Sequence, residues 1–259
     1  MPRKSLRVAL LLAVLALTVT ILLDTRPPPP PNWDEPLRVV IYPFNADGSK
    51  VVADHIADQR LEDFLPIEDF FAEQAARYGL GLKRPFEFAL GAEIDAAPTP
   101  PPRSRNLFTR ARWGLSVRWW HFRFRDQVNK PDIIVVARYH RPDELPRTMH
   151  SIAIAAQRLA VAKLVAEPLY TANNHVVLAH EILHTVGASD LYDPATNLPL
   201  YPEGYANPQR DPLHPQHQAE IMAGRIPLTP FRSREAISLV ETVIGPVTAR
   251  EIGWPITTD

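Results

Sequence analysis

Cysteine is absent from the 259-residue chain, and this absence excludes several kinds of chemistry. The protein can have no disulfide, no thiol nucleophile, no thiolate metal ligand and no lipid-modified N-terminal cysteine. A strong net charge is also missing, because the formal charge is −1 at pH 7, so we expect no nucleic-acid partner. The chain has no internal repeat. The remaining composition, 46% hydrophobic and 22% charged, is ordinary for a globular protein.

The N-terminus combines a basic start with an apolar run. Arg3, Lys4 and Arg7 precede residues 8–23, which are almost wholly apolar. This order is that of an export signal. The end of the run has no clear cleavage site, so we expect an uncleaved signal anchor over residues 1–26, with a transmembrane helix. The domain would then lie on the periplasmic or extracellular side of a membrane, with secretion after cleavage as the alternative.

Prolines separate this segment from the rest of the chain. Residues 27–31 are five consecutive prolines and should form a stiff polyproline II spacer, so we expect a linker over residues 27–36. A single folded domain is expected over residues 37–259. Strand patterns occur at residues 37–42, 86–90, 132–136, 151–155 and 159–165, and helical patterns at 67–78, 108–122, 174–186 and 247–252. Alternating strands and helices, one long helix and a Pro- and Gly-rich end predict an α/β or α+β domain with a cleft beside that helix.

One short segment, at the end of the helix predicted over residues 174–186, carries side chains suited to chemistry. His180 and His184 are four residues apart, so both imidazoles can point from one helix face at a single metal ion. Glu181 lies beside that face and can take a proton from a water at the metal. Gly187 permits a sharp turn, which can bring Asp190 back as a third ligand. Two imidazoles and a carboxylate leave one position for water, as a hydrolytic zinc site requires. The alternative is two core histidines and a solvated glutamate.

This spacing resembles the zinc motif of the metzincin clan of zinc endopeptidases, in the variant with aspartate as third ligand that snapalysin-like bacterial peptidases carry. The similarity covers residues 174–193 and a second patch at residues 220–224, where Glu-Ile-Met-Ala-Gly resembles the clan's methionine turn around Met222. Residues 248–254 are similar to the C-terminal helix of matrixin-type domains. Some relatives have a tyrosine two residues after the methionine, where this chain has glycine. Oxyanion stabilisation would then have to come from elsewhere, for example from Tyr192 or Tyr201.

The resemblance implies an α+β, zincin-like fold with a mixed sheet, an active-site helix and an irregular C-terminal lobe. It also implies a zinc metalloendopeptidase, a hydrolase in which His180, His184 and Asp190 hold Zn²⁺ and Glu181 is the catalytic base. Its substrate would be a peptide or protein that lies extended along an edge strand, for which residues 151–155 are the candidate.

A different kind of protein is the main alternative. It would be a non-catalytic, membrane-tethered zinc-binding protein. In such a protein the zinc is structural, and a protein ligand fills its fourth position. His214 and His217 precede the methionine turn and are the candidates for that ligand.

Aromatic and basic residues are mixed in one further segment, residues 118–125. Contact with lipid headgroups or nucleic acid is one interpretation. The helical spacing of Phe108, Leu115, Trp119 and Phe122 instead favours an aromatic stripe that faces the core, with arginines on the outer face.

Overall fold

The structure, a computed structural model, describes residues 2–24, 29–102, 106–124, 129–144 and 151–256, with side chains of the first helix over residues 5–18. Helices lie at Pro2–Asp24 (α1), Lys50–Asp58 (α2), Leu65–Arg77 (α3), Leu107–Arg123 (α4), Thr171–Thr185 (α5) and Pro246–Glu251 (α6). Strands lie at Leu37–Asn45 (β1), Phe86–Leu90 (β2), Ile133–His140 (β3), Ile152–Ile154 (β4), Leu159–Val165 (β5), Ala219–Glu220 (β6), Arg225–Thr229 (β7), Arg232–Glu235 (β8) and Thr242–Val243 (β9).

Five strands form one sheet in the order β2-β1-β3-β5-β4. The first four run parallel, whereas β4 runs antiparallel to β5 at the edge. The predicted mixed sheet is therefore confirmed, and the architecture is mixed α/β. Strands β1, β3 and β5 are rich in Val, Ile, Leu and Ala and are buried on both faces, as parallel strands covered by helices usually are.

Alternate residues of each strand supply two separate cores. On one side, here called the α5 face, the strands pack against α2, α3, α5 and α6 and against the segment around Met222. On the other side, the α4 face, β1, β3 and β5 pack against α4. The larger core therefore lies on the α5 face, where the candidate site is found.

The N-terminal segment before β1 also contributes to the larger core. Trp33 is 6% exposed, and its indole N–H donates to the carbonyl of Ile252 at 2.7 Å. Its ring makes edge contacts with Phe86 and Trp254, at centroid distances of 5.3 and 6.1 Å. The segment predicted as a linker thus provides a buried residue, while residues 27 and 28 of the polyproline run lie outside the described residues.

The apolar run near the N-terminus forms α1. A hydrocarbon core of about 30 Å requires about 20 predominantly apolar residues in one helix. Within the part of the chain whose side chains are described, no helix has both the length and the apolarity to cross a membrane. The prediction of a transmembrane helix and signal anchor is therefore wrong. The location of the domain outside the cytoplasm stays a prediction.

The orientation predicted for α4 is also wrong. Phe108, Trp119 and Phe122 point outward and are 77%, 60% and 58% exposed. The core-facing side carries Trp113, Val117 and Trp120 instead. Both indoles find backbone acceptors in the Pro-rich segment before the helix, Trp113 at Thr99 (2.8 Å) and Trp120 at Ala96 (2.9 Å). Two faces of α4 are apolar. The face with Trp113 and Trp120 is the buried one because its indole N–H groups find backbone acceptors there.

Candidate metal centre

Helix α5 is fixed to the sheet by apolar and polar contacts. Leu178 and Ile182 are fully buried in the larger core. The Asn174 side chain pairs with the backbone of Val165 at the end of β5, accepting from its N–H at 3.1 Å and donating to its carbonyl at 2.9 Å. The helix begins at Thr171 without a side-chain cap, because a short 3-10 turn leads directly into it.

The two histidines of α5 present their Nε2 atoms to the same point. His180 Nε2 and His184 Nε2 are 3.0 Å apart. The Nδ1 atoms lie on backbone carbonyls, His180 on Ile221 at 3.0 Å and His184 on Ala188 at 2.7 Å. A proton on each Nδ1 satisfies these bonds and leaves both Nε2 lone pairs for a ligand, as in protein metal sites.

Gly187 ends the helix in the way that the sequence predicts. Its φ of +113° is a conformation that residues with a side chain rarely adopt. The Gly187 N–H donates to His184 O at 3.2 Å, and the Ala188 N–H donates to Leu183 O at 3.1 Å. These two bonds form a Schellman motif, which satisfies the last carbonyls of the helix and reverses the chain toward the site.

Asp190 lies on this reversed segment, between two backbone attachments. The Ser189 N–H donates to Glu251 Oε2 of α6 at 2.8 Å, and the Leu191 N–H donates to Met222 O at 3.1 Å. Asp190 Oδ1 is thereby held 3.3 Å from His180 Nε2 and 3.1 Å from His184 Nε2. The structure therefore brings together the three residues predicted as ligands.

The geometry of this group fits zinc. Its three ligand atoms lie within 4.8 Å of one another. Tetrahedral coordination with Zn–N distances of about 2.0–2.1 Å separates neighbouring ligand atoms by about 3.3–3.4 Å, close to the 3.0–3.3 Å found here. His214 and His217 do not belong to the group, and His214 Nε2 instead lies 3.1 Å from the hydroxyl of Tyr205.

The ionisable side chains of this group shift one another's pKa. Burial opposes ionisation of Asp190, but hydrogen bonds with both histidines outweigh it and lower the pKa of the carboxyl well below its usual range. Burial alone would lower the pKa of His180, yet Asp190 and neighbouring Glu181 raise it. The protein thus stabilises positive charge between the two imidazoles and the carboxylate.

Glu181 is buried beside this group. Its side chain is 6% exposed, and Oε2 has no hydrogen-bond partner within the described part of the chain. Burial raises its pKa against the pull of the two histidines. A buried carboxylate oxygen without a partner is costly, and such groups are concentrated where a substrate or a water binds.

An open cleft of about 380 Å³ lies in front of these side chains. The cleft is lined by edge strand β4 and its flanks, at Ser151, Ile152, Ala153 and Ala155, and by the three residues of the group, Glu181 and Tyr192. Burial, together with the charge of Asp190 and a hydrogen bond to it, raises the pKa of Tyr192. Tyr201, the other tyrosine considered, is 59% exposed and packs against Tyr205 away from the cleft.

Met222 is fully buried in the larger core, in a turn organised by Glu220, a residue that the sequence did not single out. Glu220 Oε2 accepts from the Met222 N–H at 2.6 Å and the Ala223 N–H at 3.1 Å. Its Oε1 accepts from the Gly245 N–H at 3.0 Å and the Thr248 hydroxyl at 2.6 Å. Glu220 therefore fixes the turn whose Ile221 carbonyl orients His180.

Comparison with known proteins gives little further information. No family model matches the chain, and no curated protein matches it. Among solved structures, the crystal structure of wild-type OgpA from Akkermansia muciniphila is similar at 11% sequence identity and a TM-score of 0.41. The alignment covers 90% of this chain and 65% of that chain, just under two thirds of its length.

Proposed function

We propose that this chain is a zinc-dependent endopeptidase with a metzincin-like site in a zincin-like fold. The observation that supports the proposal best is the convergence of His180 Nε2, His184 Nε2 and Asp190 Oδ1 beside the buried carboxylate of Glu181. The open cleft in front of them gives a substrate access. Zinc held by these three side chains would supply a Lewis acid that polarises the scissile carbonyl and lowers the pKa of a water.

Glu181 would carry the proton transfers. Its carboxylate would take a proton from the attacking water and pass it to the nitrogen of the leaving amine. Burial raises the pKa of Glu181 above its ordinary value, which makes its carboxylate a better proton acceptor. Because the Nδ1 atoms of His180 and His184 are already held by carbonyls, the imidazoles need no reorientation during the reaction.

Tyr192 is the candidate for stabilising the oxyanion. Its hydroxyl lines the cleft and donates to Asp190; with that carboxylate bound to zinc, the hydroxyl could donate instead to a carbonyl oxygen of a substrate. Strand β4 pairs with β5 on one side and is the edge of the described sheet. Its outward N–H and C=O groups can therefore bind an extended peptide as an added strand.

The proposal is tested by zinc content and peptide cleavage, with the wild-type chain beside Glu181→Ala. Both proteins should bind one zinc per chain, because Glu181 is not a ligand. Glu181→Ala should cleave a peptide library about 10²–10⁴-fold more slowly, as its water lacks a base. Equal cleavage rates would reject the role of Glu181. Zinc binding by the wild-type chain without any cleavage would favour the zinc-binding protein instead.

A further inference from the structure

Positive charge is concentrated in one segment of this nearly neutral chain. Residues 96–125 contain seven arginines and no lysine, aspartate or glutamate, whereas the whole chain has a formal charge of −1. The rest of the sequence therefore carries −8. Helix α4 lies within this segment and contributes Arg110, Arg112, Arg118 and Arg123.

The same helix exposes a stripe of large apolar side chains. Leu115, Trp119 and Phe122 follow Phe108 by seven, eleven and fourteen residues, which places the four within an arc of about 60° on a helix. The exposed fractions are 77% for Phe108, 43% for Leu115, 60% for Trp119 and 58% for Phe122. Trp119 and Phe122 stack at a centroid distance of 6.0 Å. These four residues are called the α4 stripe below.

Arginines border the α4 stripe on both sides. By helical spacing Arg112 and Arg123 lie along one side and Arg118 along the other. The guanidinium of Arg123 is 5.9 Å from the centre of the Trp119 ring, so charge and aromatic surface are adjacent. An apolar stripe with bordering arginines is the pattern of helices that lie in the interface of a membrane.

We infer that the outer face of α4 binds the surface of an anionic lipid bilayer. The arginines would pair with lipid phosphates, and the α4 stripe would enter the boundary between headgroups and acyl chains, where aromatic side chains are favoured. Because α4 covers the sheet face opposite α5, a bound bilayer would leave the cleft open. The inference does not depend on the proposed peptidase activity.

Two other occupants fit the observations less well. A second copy of the chain would bring two strongly basic helices together, and like charges repel across an interface. A nucleic acid would use aromatic faces for base stacking, but Leu115 cannot stack and the Trp119 and Phe122 rings already stack on each other. An anionic bilayer matches both the charge and the aliphatic part of the stripe.

The test is co-sedimentation of the full chain with vesicles of phosphatidylcholine containing about one third phosphatidylglycerol. Trp119→Gln/Phe122→Gln should weaken partitioning about tenfold or more, because two aromatic side chains no longer leave water. Phe231→Gln removes an aromatic that is 84% exposed between β7 and β8, and should bind like wild type. Arg112→Gln/Arg123→Gln should weaken binding to the anionic vesicles and make it less sensitive to salt.

All these variants retain α1, so differences among them report on α4. Equal partitioning of wild type and Trp119→Gln/Phe122→Gln would overturn the inference. The inference would also be overturned if the wild-type chain did not bind vesicles but bound a single-stranded oligonucleotide through Trp119 and Phe122. A dimer in sedimentation velocity that the double variant abolishes, without vesicle binding, would assign the face to a second copy and would equally overturn it.

Discussion

The two faces of the five-stranded sheet are covered to very different depths, although β1, β3 and β5 are apolar on both. The α5 face is covered by four helices, by Trp33 and by the methionine turn. The α4 face is covered in the described part of the chain mainly by one helix, whose Trp113 and Trp120 are half-buried. The candidate metal centre lies on the deeply covered face, and the exposed aromatic surface lies on the other.

The difference between the two faces shows what is required to hold the side chains of the candidate metal centre in place. On the α5 face, Asn174 and Glu220 are buried, and their side chains hydrogen-bond to backbone groups of Val165 and of Met222 and Gly245. Side chains held in this way cannot move without leaving buried polar groups unpaired. On the α4 face, Trp119 and Phe122 are more than half exposed, which suits a surface that adapts to a soft partner.

The largest expected loss of stability tests how tightly the α5 face is packed. Trp33→Ala should lower the free energy of unfolding by about 3–5 kcal/mol, because it leaves a cavity between Phe86 and Trp254 and an unpaired carbonyl at Ile252. Chemical denaturation measures the change. Trp119→Ala on the outer side of α4 is the matched control and should change stability by less than about 0.5 kcal/mol.

Equal losses for the two tryptophan variants would show that α4 is as deeply packed as the opposite face. A small loss at Trp33 would instead show that residues 29–36 are a linker that rests on the domain without stabilising it. Either result would remove the contrast between the two faces.

A second prediction concerns the third ligand. Asp190→Ala should weaken zinc binding by about 100-fold or more, since loss of a residue in direct contact should exceed the effect of an outer partner. Asp190→His should restore part of the affinity because imidazole is also a good zinc ligand. Competition with a fluorescent chelator measures both constants.

His214→Ala is the control for this measurement. Its side chain lies on Tyr205 and outside the metal group, so zinc affinity should stay at the wild-type value. If His214→Ala lost zinc while Asp190→Ala retained it, the three-residue group would not be the zinc site and the structural-zinc alternative would gain support.

The periodicity of the sequence was sufficient to predict the strands of the sheet and the helix that carries His180 and His184. The pattern of residues 159–165 gives the bounds of β5, and Gly187 ends α5 as predicted. Local spacing was also sufficient for the position of Asp190, because the distance from Gly187 to the site is set by one turn. The bounds of β5 and the end of α5 depend on neighbours within a few residues, whereas the segment that carries Asp190 is also held by Glu251 and Met222.

Features that depend on distant contacts were missed or predicted wrongly. Trp33 follows a proline run that is typical of a spacer, and its carbonyl partner lies 219 residues away. The α4 stripe has helical spacing, but so has the opposite face, and the choice is made by carbonyls of Ala96 and Thr99. Helix α2 was missed because only Val52 and Ile56 of its nine residues are buried.

The smallest of these effects is expected at Glu220, whose role could not be predicted because two of its partners are 25 and 28 residues away. Glu220→Gln keeps the shape of the side chain but replaces one acceptor oxygen by an N–H₂ group. Two of the four donors around the carboxylate then lose their acceptor, so the free energy of unfolding should fall by about 1–3 kcal/mol. Because the Ile221 carbonyl that orients His180 is loosened, zinc affinity should fall about tenfold.

Thr242→Val separates these two consequences. Thr242 is buried in β9, which pairs with β6 next to the methionine turn, but its hydroxyl donates to Leu239 O at 2.8 Å and not to the turn. The variant should lower the free energy of unfolding by about 1 kcal/mol and leave zinc affinity at the wild-type value. If both variants weakened zinc binding equally, general softening of the C-terminal lobe would explain the loss. If zinc affinity fell only in Glu220→Gln, the result would mean that the buried carboxylate of Glu220 sets the orientation of His180 through the carbonyl of Ile221.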